Sequence, residues 1–118
     1  MRITGQNVRD AIIRALADEY SRKILLSTVE KARSVEELSH SLAVPISTAY
    51  RRVNEMRDVG LLTVEKTIIT DDGKKFELVR SAFKGLNLQL EKGEIIIDVE
   101  LNEDVATRLS RLWASLRT

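Results

Sequence analysis

SVEELSHSLAVPISTAYRRVNEMRDVGLL, running from Ser34 to Leu62, holds two amphipathic stretches separated by a proline-marked turn. Ser34 and Glu37 open the first. The serine hydroxyl can accept from a free amide of the first turn, and the Glu37 carboxylate can reach back to the Ser34 amide. Val35, Leu38 and Leu42 follow at helical spacing. Ala43, Val44 and Pro45 then make a turn, because Pro45 has no amide to donate and drives Val44 out of the helical region. From Ile46 a second helix is expected, with Ile46, Ala49, Val53 and Met56 inward and Gly60 as its stop.

That second helix leaves Ser47, Thr48, Tyr50, Arg51, Arg52, Asn54 and Glu55 outward or flanking. Arginine forms a two-pronged contact with guanine in the major groove, and hydroxyl side chains serve phosphates or base edges. Ser47, Thr48, Tyr50, Arg51 and Arg52 are therefore the candidate DNA-reading residues. A basic helical face is also what plain solvation produces, so the assignment depends on what surrounds the helix.

Beyond Gly60, Leu61 to Ile69 and Phe76 to Phe83 are rich in β-favouring residues and flank Thr70-Asp71-Asp72-Gly73-Lys74-Lys75. Two such runs around an Asp-Gly pair predict a hairpin. Lys74 and Lys75 at its tip, with Lys66 on its first strand, are candidate phosphate contacts, against which Asp71 and Asp72 count electrostatically. Lysines at a hairpin tip also serve solubility.

In order and spacing these pieces resemble the ArsR-like winged helix-turn-helix regulators, particularly their metal-free archaeal type. The resemblance covers roughly residues 10 to 82. It is carried by Leu16-Ala17-Asp18-Glu19-Tyr20-Ser21-Arg22-Lys23-Ile24-Leu25, Ser34-Val35-Glu36-Glu37-Leu38, Ser47-Thr48-Ala49-Tyr50-Arg51-Arg52-Val53 and Gly60-Leu61-Leu62. It implies a wing, double-stranded DNA as partner, and a homodimer to which the first and last helices contribute.

Composition narrows the function further. The 118 residues carry 19 basic and 18 acidic side chains, a formal charge of +1, too balanced for a general polyanion binder. Residues 1–84 hold 15 basic and 12 acidic groups and residues 85–118 hold 4 and 6, so the small basic excess lies with the helix pair. Cysteine is absent and His40 is the single histidine. This excludes disulfides and cysteine-based metal sensing, and no metal site or cofactor is expected. No Walker-type or GxGxxG loop and no nucleophile-plus-base set is legible, so enzymatic activity is not expected. The paired acids Glu36-Glu37, Asp71-Asp72 and Glu103-Asp104 fit helix starts or a turn. Neither a membrane-spanning run nor a leader is visible, and a cytoplasmic location is expected.

After residue 84 the pattern changes again. Leu86, Leu88 and Leu90 alternate with polar residues, Lys92-Gly93 makes a turn, and Ile95, Ile97, Val99 and Leu101 share one face, which predicts a second hairpin with one buried side. Asn102 is placed as the cap of a terminal helix with an apolar stripe of Val105, Leu109, Leu112, Trp113 and Leu116. With Val8 and Ile12 on an opening helix over Asn7 to Leu16, which also carries Ile13, that stripe is the candidate dimer interface.

The expected class is α+β: a winged helix-turn-helix domain over 1–84, extended by a hairpin and helix over 85–118. The expected function is a sequence-specific, homodimeric DNA-binding transcriptional regulator, with helix 46–58 in the major groove and wing 61–83 on the backbone. The rival is a protein-binding winged-helix adaptor or component of the transcription machinery, in which the basic helix is only solvated. No convergent polar groups identify a small-molecule effector.

Overall fold

The core is assembled from every part of the chain that a computed structural model describes, residues 1–102. Four helices come first: α1 (Gln6–Ala17), α2 (Glu19–Ser27), α3 (Val35–Leu42) and α4 (Ile46–Asp58). Two antiparallel hairpins follow, β1 (Leu62–Ile69) with β2 (Lys75–Ser81), and β3 (Phe83–Glu91) with β4 (Glu94–Leu101). The α+β winged-helix arrangement expected from the sequence is the one observed. The terminal helix expected after Asn102, with Val105, Leu109, Leu112, Trp113 and Leu116, lies outside the described residues.

Local chemistry sets each helix boundary. Asp18 separates α1 from α2 and caps α2 by accepting from the Ser21 amide and hydroxyl, both at 2.9 Å. Ser34 caps α3 through the Glu37 amide at 3.1 Å. The Glu37 carboxylate does not complete the expected reciprocal cap: Arg33 Nη1 holds it at 2.8 Å, because a full positive charge outcompetes a neutral amide. Ala43 ends α3 in the left-handed region, φ 54°, and Pro45 then precedes α4. At the far end of α4 the Gly60 amide reaches the Arg57 carbonyl and the Leu61 amide the Met56 carbonyl, at 3.0 and 2.8 Å. This is the two-bond helix stop that requires a positive φ, and Gly60 supplies it at 83°.

Ile12, Ile24, Leu38, Ala49, Val53, Leu61, Leu62, Val79, Ile97 and Val99 are among the buried residues of one continuous core. Each buried large aliphatic contributes about 1.5–3 kcal/mol relative to exposure. The helix pair, the base of the wing and the second hairpin therefore share one set of contacts, and residues 83–101 add to the same core that organises residues 1–82.

Each hairpin also gains one isolated antiparallel bridge from a segment distant in sequence. Arg33, in the link between α2 and α3, exchanges backbone hydrogen bonds with Val79 of β2 at 2.8 and 2.9 Å. Residues 1–3 run antiparallel along the free edge of β4, with Ile3 N donating to the Ile97 carbonyl at 2.9 Å and Val99 N to the Met1 carbonyl at 2.7 Å. At the turn of the second hairpin, Lys92 and Gly93 both take positive φ, the two-residue geometry that matches strand twist.

Three expectations about burial are corrected. Ile46 is 47% exposed, since side chains lean toward a helix N-terminus and this one leans past the last packed turn. Ile12 is buried in the core at 2% exposure, so within this chain its side chain is already spent and is not a free interface residue; Val8 is half-buried beside it. Leu86, Leu88 and Leu90 share a face with Val99, Ile97 and Ile95, yet all three are exposed. Helix α1 borders the start of β4, where Arg9 Nη1 donates to the Ile95 carbonyl at 3.1 Å.

Candidate nucleic-acid interface

Burying Ala49, Val53 and Met56 rotates the opposite side of α4 outward, and Ser47, Arg51, Asn54 and Asp58 fall along it at helical spacing, all exposed. Tyr50 flanks this row and is 42% exposed. The start of α4 carries no side-chain cap and no acidic residue in its first turn, so the positive end of the helix is left open to an anion. Along this outward row the N-terminal half of α4 is the part suited to reading bases, since Glu55 and Asp58 place negative charge toward its other end.

The residues expected to read DNA divide into three groups. Ser47, Arg51, Lys66 and Lys74 are exposed. Thr48 is half-buried. Arg52, Tyr50 and Lys75 each have a partner within the chain. Arg52 Nε lies 3.1 Å from Asp18 Oδ2, and its Nη1 lies 3.3 Å from Glu55 Oε2, with the side chain 27% exposed. Arg52 therefore clamps α4 to the α1–α2 junction and does not belong to the outward row. A turn of 100° per residue separates Arg51 from Arg52, and that rotation gives two sequence neighbours opposite tasks.

Tyr50 donates its hydroxyl to the Glu36 carboxylate on α3, and holding that proton beside a negative charge raises the phenol above its usual pKa. Lys75 sits 3.8 Å from Glu77. In the wing, Lys75, Glu77 and Val79 alternate with Phe76 and Leu78, and Lys66 is in register with Leu78. Residues in register share a face, so Lys75 at the tip and Lys66 on the first strand project from opposite sides of the hairpin. The loop between is fastened by Thr70, whose amide donates to the Lys74 carbonyl at 2.9 Å and whose hydroxyl binds Asp72; that hydrogen bond lowers the Asp72 pKa.

Two residues at this surface were not among the expected readers. Asn54 lies one turn beyond Tyr50 and Arg51 on the outward row, and asparagine can bind adenine with two hydrogen bonds; its spacing from Ser47 and Arg51 was the available signal. Arg57 Nη1 reaches Glu77 Oε2 at 2.8 Å and ties α4 to β2, a contact between residues that no local pattern joins. Tyr50, Asn54, Arg57, Lys75 and Glu77 line a groove of about 240 Å³ between α4 and the wing.

Among the described residues, no group of three or more His, Cys, Asp or Glu side chains is gathered for a metal ion, and no helix is long and apolar enough to cross a membrane.

A family model described as a helix-turn-helix domain matches residues 16–65, the segment from the end of α1 into β1. No curated protein matches the chain in sequence. Solved structures similar to it include HlyU from Vibrio cholerae N16961, with 20% identity, 94% of this chain and 99% of that one covered, and a TM-score of 0.45. The transcriptional regulator HlyU from Vibrio vulnificus CMCP6 has 20% identity, coverage of 96% and 93%, and a TM-score of 0.43. NolR from Sinorhizobium fredii has 14% identity, coverage of 95% and 93%, and a TM-score of 0.43.

Proposed function

We propose that this protein, whose residues 16–65 match a helix-turn-helix domain model and whose motifs resemble the ArsR-like regulators, is a sequence-specific DNA-binding transcriptional regulator that acts as a homodimer. The observation that carries the reading is the exposed row of Ser47, Arg51 and Asn54, with Tyr50 beside it, on a helix whose N-terminus is open. Arg51 and Asn54 contact base edges, Ser47 and the first-turn amides of α4 take a phosphate, and Lys66 and Lys74 of the wing lie along the backbone. Two copies present their α4 helices to successive major-groove faces about 34 Å apart. Val8 and the stripe Val105, Leu109, Leu112, Trp113 and Leu116 form the dimer contact.

Selection of bound genomic fragments with purified protein at near-physiological salt tests this reading. It requires an enriched, two-fold symmetric motif that Arg51→Ala no longer selects, and light scattering must return the mass of a dimer. A protein that enriches no motif while remaining folded would instead favour the protein-binding adaptor.

A further inference from the structure

One carboxylate in the groove between α4 and the wing holds two cations that come from its opposite walls. Glu77 Oε2 is 2.8 Å from Arg57 Nη1, in the last turn of α4, and Glu77 Oε1 is 3.8 Å from Lys75 Nζ, at the start of β2. The groove thus brings a guanidinium and an ammonium together around a single anion, beside Tyr50 and Asn54 of the proposed reading surface. The hold is imperfect. Glu77 Oε2 is shut off from solvent yet accepts no well-aligned hydrogen bond, so its contact with Arg57 is Coulombic more than directional. The Arg57 and Lys75 side chains are 38% and 63% exposed, which leaves both cations open to an incoming group.

A phosphate oxygen presents to Arg and Lys the same charge and acceptor chemistry as a carboxylate oxygen. We propose that a DNA backbone phosphate takes the place of Glu77 between Arg57 and Lys75, so that the two cations form a phosphate clamp bridging the reading helix and the wing, occupied by the chain's own carboxylate in the free protein. The proposal rests on the DNA-binding reading above and deepens it. Binding is then an exchange: the phosphate gains two cations and sheds its counterions, while the released Glu77 carboxylate collects a cation from solution. Glu77 therefore lowers both the affinity and its salt dependence, and lets a nearly neutral protein present a basic clamp without general attraction to polyanions.

The test is fluorescence anisotropy with a short labelled duplex, titrated by purified wild type, Glu77→Gln and Lys75→Gln between about 50 and 200 mM salt, with melting temperatures measured alongside. Glu77→Gln should bind about three- to tenfold tighter, and its log-affinity against log-salt slope should steepen by about one. Lys75→Gln should bind more weakly, with a slope shallower by about one. A folded Glu77→Gln with unchanged or weaker binding overturns the clamp and makes Glu77 a latch between helix and wing. If Glu77→Gln fails to fold, Lys75→Gln decides, and an unchanged slope overturns the proposal. Failure of the wild type to bind duplex at the lowest salt overturns the DNA-binding reading itself, and the clamp with it.

Discussion

Arg52 reaches back 34 residues to Asp18, its Nε 3.1 Å from Oδ2 and its Nη2 3.3 Å from Oδ1. The same carboxylate caps α2 through Ser21, so one acidic side chain fixes the start of α2 and the azimuth of α4. The orientation of the proposed reading helix is thereby tied to a break in the chain far from it in sequence, and the two adjacent arginines of α4 separate into a structural clamp and an exposed residue.

Alanine at each arginine should give different losses. Arg52→Ala should cost about 1 kcal/mol of stability in urea denaturation, a modest figure because the ion pair is partly exposed and screened. Arg51→Ala should change stability by no more than about 0.5 kcal/mol, while lowering specific DNA affinity by about 1–3 kcal/mol. Equal melting temperatures for wild type and Arg52→Ala would contradict the clamp.

Acid should expose the contribution of Asp18. Its pKa is lowered from the usual 3.8, first by the hydrogen bond from the Ser21 amide and also by the Ser21 hydroxyl and the Arg52 charge, against an opposing effect of burial. A depressed folded-state pKa means that the stabilisation is complete above the ordinary carboxylate value and is lost as pH falls through the lower, folded value. Asp18→Asn should therefore be less stable than wild type at neutral pH, and the gap should narrow as pH drops below about 4. Denaturation midpoints measured across that window check the sign; a constant gap contradicts it.

Ala43 pays for the turn between α3 and α4. It holds φ 54° and ψ 45°, a left-handed conformation that costs a side chain with a Cβ about 1–2 kcal/mol. Ala43→Gly should remove that cost while adding unfolded-chain entropy of about 0.4–1 kcal/mol, for a net gain near 0.5 kcal/mol. Thermal melts resolve such a gain as a rise in midpoint, and a fall would contradict the strain.

Asn102 fastens three parts of the chain where the second hairpin ends. Its side-chain amide donates to the Val29 carbonyl at 2.9 Å and to the Ser81 carbonyl at 3.4 Å, and its backbone amide donates to the Ala82 carbonyl at 2.9 Å. It is buried. Asn102→Ala should cost about 1–3 kcal/mol, because the carbonyls lose their donor without regaining water. Asn102→Asp should be at least as damaging, since a carboxylate cannot donate to either carbonyl. Chemical denaturation of both variants measures this, and wild-type stability in either would refute it.

The sequence by itself determined the elements and their order. Ser34, Pro45 and Gly60 act through their own backbone geometry and immediate neighbours, so the ends of α3 and α4 were legible, as were both hairpins from alternation and the Asp72-Gly73 and Lys92-Gly93 turns. The buried side of α4 at Ala49, Val53 and Met56 followed from periodicity, and Ser47 and Arg51 followed from its reverse. Only the tertiary structure decided which charged groups remain free. The partners of Arg52, Tyr50, Lys75 and Arg57 are Asp18, Glu36 and Glu77, brought close by the way α2, α3 and the wing pack around α4. Likewise, Ile12 was consumed by the core and the β3 leucines were left outside it. Helix periodicity assigns a side chain to a face, but pairing a charge requires knowing what the packed neighbours place opposite that face, and that information is non-local.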